Sequence, residues 1–149
     1  MAGIIGHIPS NEVSLTAATA KTVLQIVAAT NHRVKVLGIE LFFKGTSTTD
    51  TPVKVRILRQ TDAGTTSAAT PVANDNSIDE TLQTTGRHTA TVEPTAGDVL
   101  KMWEVHPQSG LIYCFPIGEE IIVKGGGRLG VECTAAQAQT CAANFIFEE

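Results

Sequence analysis

The apolar residues of this chain come in short runs, and the densest block of them lies between Val99 and Ala135. Four segments there, Val99–Val105, Leu111–Phe115, Glu120–Lys124 and Arg128–Cys133, are separated by His106–Gly110, Pro116-Ile117-Gly118 and Gly125–Gly127. Runs of about four to eight apolar or β-branched residues bounded by Gly and Pro are the sequence form of successive β-strands. None is long enough for a helix, and Gly or Pro interrupts every wider window.

The same pattern, more dilute, runs upstream. Val13–Thr16 predicts a short strand. Lys21–Ala28 is apolar on both faces, as in a strand covered on both sides. The alanines of Ala17–Ala29 offer a helix as the competing reading, against which Thr22, Val23, Ile26 and Val27 favour strand. Arg33–Lys44 and Val53–Gln60, joined by a turn at Gly45–Asp50, predict a hairpin. In the second of these, Val53, Val55 and Ile57 alternate with Lys54, Arg56 and Leu58. In the first, Val34 and Val36 occupy one parity while Ile39, Leu41 and Phe43 occupy the other. One extra residue at Leu37-Gly38, a β-bulge, would return the apolar set to a single face.

Periodicity is lost from Thr61 to Gly86, which predicts a long connection, beyond the ~12–15 residues usual in a compact domain. Arg87–Val92 resumes as a polar strand, Glu93–Asp98 reads as a turn, and Thr140–Phe147 closes the chain as a last strand. Met1–Ser10 is apolar and Gly-punctuated, and Ile4, Ile5 and Ile8 show no strand pattern. It reads as an N-terminal arm, followed by one domain over 11–149. Nine or ten strands without a helix predict an all-β, jelly-roll-like two-sheet β-sandwich with that arm and one long loop.

Composition changes this picture little. The 149 residues suit one domain. Charged residues make up 17% of the chain, low against a typical ~25%. A charge-poor, Thr-rich surface suits burial against other subunits, and equally suits a neutral monomer. A net charge of −4 without a basic stripe argues against nucleic acid; Lys54, Arg56 and Arg59 are the nearest thing to a cationic cluster. No apolar run is long enough to span a membrane as a helix. The first residues lack the basic region of a secretory signal, so synthesis in a cytoplasm is expected. Cys133 shares parity with Leu129 and Val131, and Cys141 with Ala143, Phe145 and Phe147. Both are expected to be buried and reduced, and no CxxC spacing accompanies Cys114.

Chemistry-bearing motifs are missing from the sequence. His7, His32, His88 and His106 form no HxH or HExxH pair, and His106 has only Glu104 nearby, so no metal is expected. Gly125–Gly127 lacks the GK[ST] ending of a phosphate loop and precedes a strand. No GxSxG elbow occurs. Glu119-Glu120 and Glu148-Glu149 are adjacent, so on a strand they face opposite ways and form no acid–base dyad. Trp103 shares parity with Val99 and Val105 and reads as core, leaving few aromatics to stack a sugar. The expectation is a protein that is not an enzyme and has no cofactor.

Several stretches resemble a family of tailed-bacteriophage virion proteins: Ala18–Arg33 (ATAKTVLQIVAATNHR), Ile57-Leu58-Arg59-Gln60 with Thr61-Asp62-Ala63-Gly64-Thr65, Glu93-Pro94-Thr95, Trp103–Gln108 (WEVHPQ) and Gly126–Gly130 (GGRLG). The likeness spans most of the chain and involves structural residues. It implies a capsid decoration, or cement, protein: a small β-sandwich that trimerises on the head surface of the virion, with its own copies and the major capsid protein as partners. On that reading the arm, through Ile4, Ile5, His7 and Ile8, grips the shell. The long loop, through Thr65, Thr66, Asn74, Asn76 and Ile78, meets neighbouring subunits. Deleting Met1–Ser10 would then leave the fold intact and abolish binding. A tail or baseplate module touching the host surface is the alternative, and a carbohydrate-binding or cupin-like domain the second alternative.

Overall fold

Alternation of apolar and polar residues is realised as strand almost throughout. A computed structural model describes residues 3–44 and 50–149. Among them run thirteen strands: β1 (Ile5–Pro9), β2 (Val13–Leu15), β3 (Ala20–Val27), β4 (Val34–Lys44), β5 (Val53–Gln60), β6 (Thr65–Ala69), β7 (Val72–Ala73), β8 (Thr85–Val92), β9 (Ala96–Val105), β10 (Gly110–Cys114), β11 (Ile121–Val123), β12 (Arg128–Thr134) and β13 (Gln139–Glu148). One sheet has seven strands, ordered β10-β4-β13-β1-β7, with β11 also on β4 and β2 also on β13. The other has six, ordered β6-β8-β3-β12-β5-β9. The protein is an all-β, two-sheet sandwich whose strands pair antiparallel. The chain crosses between sheets from β3 to β4 to β5 and again from β11 to β12 to β13, as jelly-roll connections do.

The core lies between the sheets. Ile8, Val36, Ile39, Leu41, Phe145 and Phe147 enter it from the seven-stranded sheet; Val23, Ile26, Val55, Ile57, Leu129 and Val131 enter from the other. Cys133 and Cys141 are buried there, with Cys114 exposed. The neighbouring Cys141 thiol and burial hold the Cys133 thiol well above its ordinary value. Thiolate, not thiol, is the reactive form, so native alkylation should label Cys114 rapidly and the other two only after unfolding. Mass spectrometry of briefly labelled protein checks this, and fast native labelling of Cys133 would contradict it.

The expected bulge is present. Gly38 pairs with Ile146 and Val36 with Phe147, leaving Leu37 unopposed. The single extra residue lets Val34 and Val36, then Ile39, Leu41 and Phe43, all face inward.

Other expectations are corrected. Arg33–Lys44 and Val53–Gln60 are not a hairpin, because β4 pairs with β13, β10 and β11, whereas β5 pairs with β12 and β9 in the other sheet. Each strand presents a strong apolar face, and two such faces bury more by meeting across the sandwich than by lying side by side. Of the turn expected at Gly45–Asp50, residues 45–49 lie outside the described residues. The stretch 61–86 is not structureless: β6 pairs with β8 and β7 with β1. The turn expected at Glu93–Asp98 is shorter, since β9 starts at Ala96. Within the Val99–Ala135 block, β9 is the edge of its sheet and exposes Val99, Leu100 and Met102, whereas β12 lies inside the same sheet between β3 and β5. Trp103 is half-buried at that edge, against the core and 5.2 Å from the Tyr113 ring.

The largest correction concerns the arm. Ile5–Pro9 is a strand inside the seven-stranded sheet, paired along its length with β13 and on its other side with β7. Domain and arm are one unit. Glycines hid the pattern: Gly6 takes an inward position where its missing side chain lets the Phe147 ring lie against the backbone, so the inward set Gly6, Ile8 does not read as apolar alternation.

Candidate interaction surface

Residues paired across an antiparallel ladder point to the same side, so the register defines the outer face of the seven-stranded sheet. One row across it reads Cys114, Gly38, Ile146, His7, Val72; a second reads Ile112, Glu40, Asn144, Pro9; a third reads Ile122, Lys35, Glu148, Ile5. Phe42 and Ala142 form a fourth. The apolar members are well exposed: Ile112 is 64% accessible, Val72 58%, Phe42 50% and Ile5 42%. Short polar links tie the strands together between them. Asn144 Nδ2 donates to Glu40 Oε2 at 2.9 Å and lies 3.4 Å from His7 Nδ1. Lys35 Nζ donates to Glu148 Oε2 at 2.8 Å, and that bond raises the lysine and, with the Gly3 amide, lowers the carboxyl.

The expected grip residues separate on this geometry. Ile5 and His7 lie on the outer face, and Ile4 is half-buried beside them. Ile8 points inward and is wholly buried, so it has no surface to offer a partner. The expected subunit-contact residues fall in two places. Thr65 and Thr66 lie on β6, at the edge of the six-stranded sheet. Asn74, Asn76 and Ile78 follow β7, at the edge of the other. Asn74 and Ile78 line a cleft of about 260 Å³ with Ile4 and Ile5, so two sets proposed for different partners meet at one edge. The Glu149 carboxylate clamps the chain nearby, accepting from the amides of Gln83 and Thr84 at 2.7 and 2.8 Å.

The outer face of the six-stranded sheet differs. Gln25 and Gln60 are buried polar side chains there, covered by the segments around Asp62 and Thr95. Gln25 Nε2 donates to Gln60 Oε1 at 2.6 Å and to the Asp62 carbonyl at 3.1 Å, and Gln60 Nε2 donates to Thr22 Oγ1 at 2.8 Å. The Glu93 carboxylate accepts from the Thr22 amide at 2.8 Å. Arg56 and Glu132 form a nearby ion pair.

Sequence reasoning missed the sheet face as a whole because its residues are scattered over six strands. Only the register brings Ile5, Phe42 and Ile112 together. Among the described residues no group of His, Cys, Asp or Glu is placed to hold a metal. Comparison of the chain with protein-family models, curated proteins and solved structures gives no match.

Proposed function

We propose that this protein is a non-enzymatic structural protein of a virion, binding the outside of a tailed-phage capsid as a trimer and stabilising it. The observation that carries the reading is the outer face of the seven-stranded sheet, where large apolar side chains lie exposed around a polar centre. A sheet presents a broad, gently twisted surface, suited to a shell of repeated subunits and unsuited to enclosing a small molecule. Several large apolar side chains exposed on one sheet face mark an interaction site, and the low charge of the sequence agrees with extensive burial on assembly. The resemblance to decoration proteins names the partner: the major capsid protein.

Ile5, His7, Phe42, Val72 and Ile112 are the residues assigned to the contact. A fully buried isoleucine contributes on the order of 1.5–3 kcal/mol before ordering costs, and three copies on one head add avidity. The test is co-sedimentation with purified heads. Wild-type protein should pellet with them. Ile112→Lys together with Val72→Lys should keep its melting temperature, because both side chains are exposed and each lysine meets a polar cross-strand neighbour, Glu40 or His7. It should stay in the supernatant. Equal pelleting of the variant would remove this face as the grip.

A further inference from the structure

A second surface lies where the two sheets end near β9 and β11. Arg59, Lys124 and Arg128 line a groove of about 510 Å³ there, with Asp98 and Ile122. Three cations thus face one carboxylate in a chain whose net charge is −4. Among the described residues none of the three side chains has an ion-pair partner, and the Arg128 Nε is buried without a hydrogen-bond acceptor. Asp62 feels the charge of Arg128, but its oxygens already accept from the Gly64 and Thr95 amides. A partly desolvated, unpaired guanidinium gains more from an arriving carboxylate than a fully hydrated one.

The complementary charge is on the same chain. Asp75, Asp79 and Glu80 are exposed on the segment after β7, and among the described residues none is ion-paired. The Asp75 carboxylate accepts from the Ser77 amide at 2.9 Å and the Ser77 hydroxyl at 2.6 Å, closing a local turn. Ile78 is half-buried in the cleft with Ile4 and Ile5; Asp75 and Glu80 stand on the rim of that cleft and Asp79 outside it, and all three remain exposed. These acids cannot fill their own groove. From β11 to β7 there are four strand spacings, through β4, β13 and β1, or roughly 19 Å at ~4.8 Å each.

We propose that the groove of Arg59, Lys124 and Arg128 receives the Asp75–Glu80 segment of a second copy of the chain. The inference rests on the trimer reading above and deepens it by naming both halves of the contact. Groove and segment are different patches, so the contact is heterologous: one copy's segment enters the next copy's groove, and a ring closes when the first groove takes the last segment. It also gives Asn74, Asn76 and Ile78 a partner, since they flank the inserted acids.

Charge reversal tests it, with mass read by light scattering over a range of concentrations and folding checked by thermal melts. Lys124→Glu with Arg128→Glu should weaken assembly by at least roughly tenfold, and Asp79→Lys with Glu80→Lys by a similar factor. All four changes in one chain should restore assembly to near the wild-type level. Because Arg128 is partly buried, the exposed pair Lys124→Glu and Glu80→Lys, singly and together, repeats the cycle without it. Wild-type assembly should also weaken as salt rises. If wild type assembles but the reversed variants assemble as tightly, or the combined chain is not rescued, the groove is not the seat and the trimer stands. If wild type is monomeric both free and on heads, the trimer reading falls and this inference with it.

Discussion

Removing residues 1–10 will unfold the protein. The deletion takes out β1, and with it the ladder on one side of β13 and the seat of β7. It removes Ile8 from the centre of the core and Ser10, whose hydroxyl accepts from the Ala143 amide at 2.9 Å and whose own amide donates to the Ala143 carbonyl at 2.8 Å. Ile8→Ala alone should cost about 2–5 kcal/mol through lost burial and the cavity left behind. At about 2–4 °C per kcal/mol for a chain near this size, that lowers the melting temperature by roughly 4–20 °C. The whole deletion adds the stranded amides and carbonyls of β13 to that loss, against a total stability of about 5–15 kcal/mol. Circular dichroism should show little cooperative transition for the truncated chain. A sharp melt near the wild-type temperature would show that β1 is dispensable.

Gly130→Ala should damage the other sheet far more than its size suggests. Gly130 lies on β12, and a Cβ there would overlap the Gln60 carboxamide. That carboxamide is held by Gln25 and Thr22 in a buried network, so it cannot swing away without breaking bonds made at 2.6 and 2.8 Å. Overpacking costs about 1–3 kcal/mol, and each hydrogen bond given up about 1 kcal/mol more. Urea denaturation should show the combined loss. In a Gln60→Ala background the overlapping atoms are gone, so the same glycine substitution should cost clearly less. Additive costs would mean that the clash with Gln60 is not the cause.

The fold was legible in the sequence where side chains alternate strictly and where a departure has only one remedy. The parity switch between Val36 and Ile39 permits a bulge and little else, and Leu37 is the residue that bulges. Strand identity was also plain in Val53–Gln60, whose bounds match β5. Pairing was not legible. β4 and β5 are neighbours in sequence, yet their apolar faces oppose each other across the core, and their ladders go to β13 and β12, far down the chain. Nothing local distinguishes those two arrangements.

The polar and glycine-rich strands were hidden for a different reason. β6 and β8 hold few large apolar residues, because they lie at one edge of the sandwich where little core remains to fill. Gly86 faces Ile8, and a side chain there would collide with it, so a core-facing position carries no hydrophobic signal. Gly6 in β1 misleads in the same way. The candidate surfaces were the least legible. Ile5 was legible as a contact residue of the arm, but Phe42 and Ile112 are single residues in apolar runs until the register sets all three on one face. Arg59, Lys124 and Arg128 read as scattered charges until the ends of β5, β11 and β12 converge on one groove.

A density map of phage heads incubated with the purified protein should show three-fold clusters of extra density on the outer shell. Each lobe should be fitted by one sandwich with the outer face of its seven-stranded sheet toward the capsid and Ile5, Phe42 and Ile112 at the contact. Bare heads, or density confined to the tail, would contradict capsid decoration.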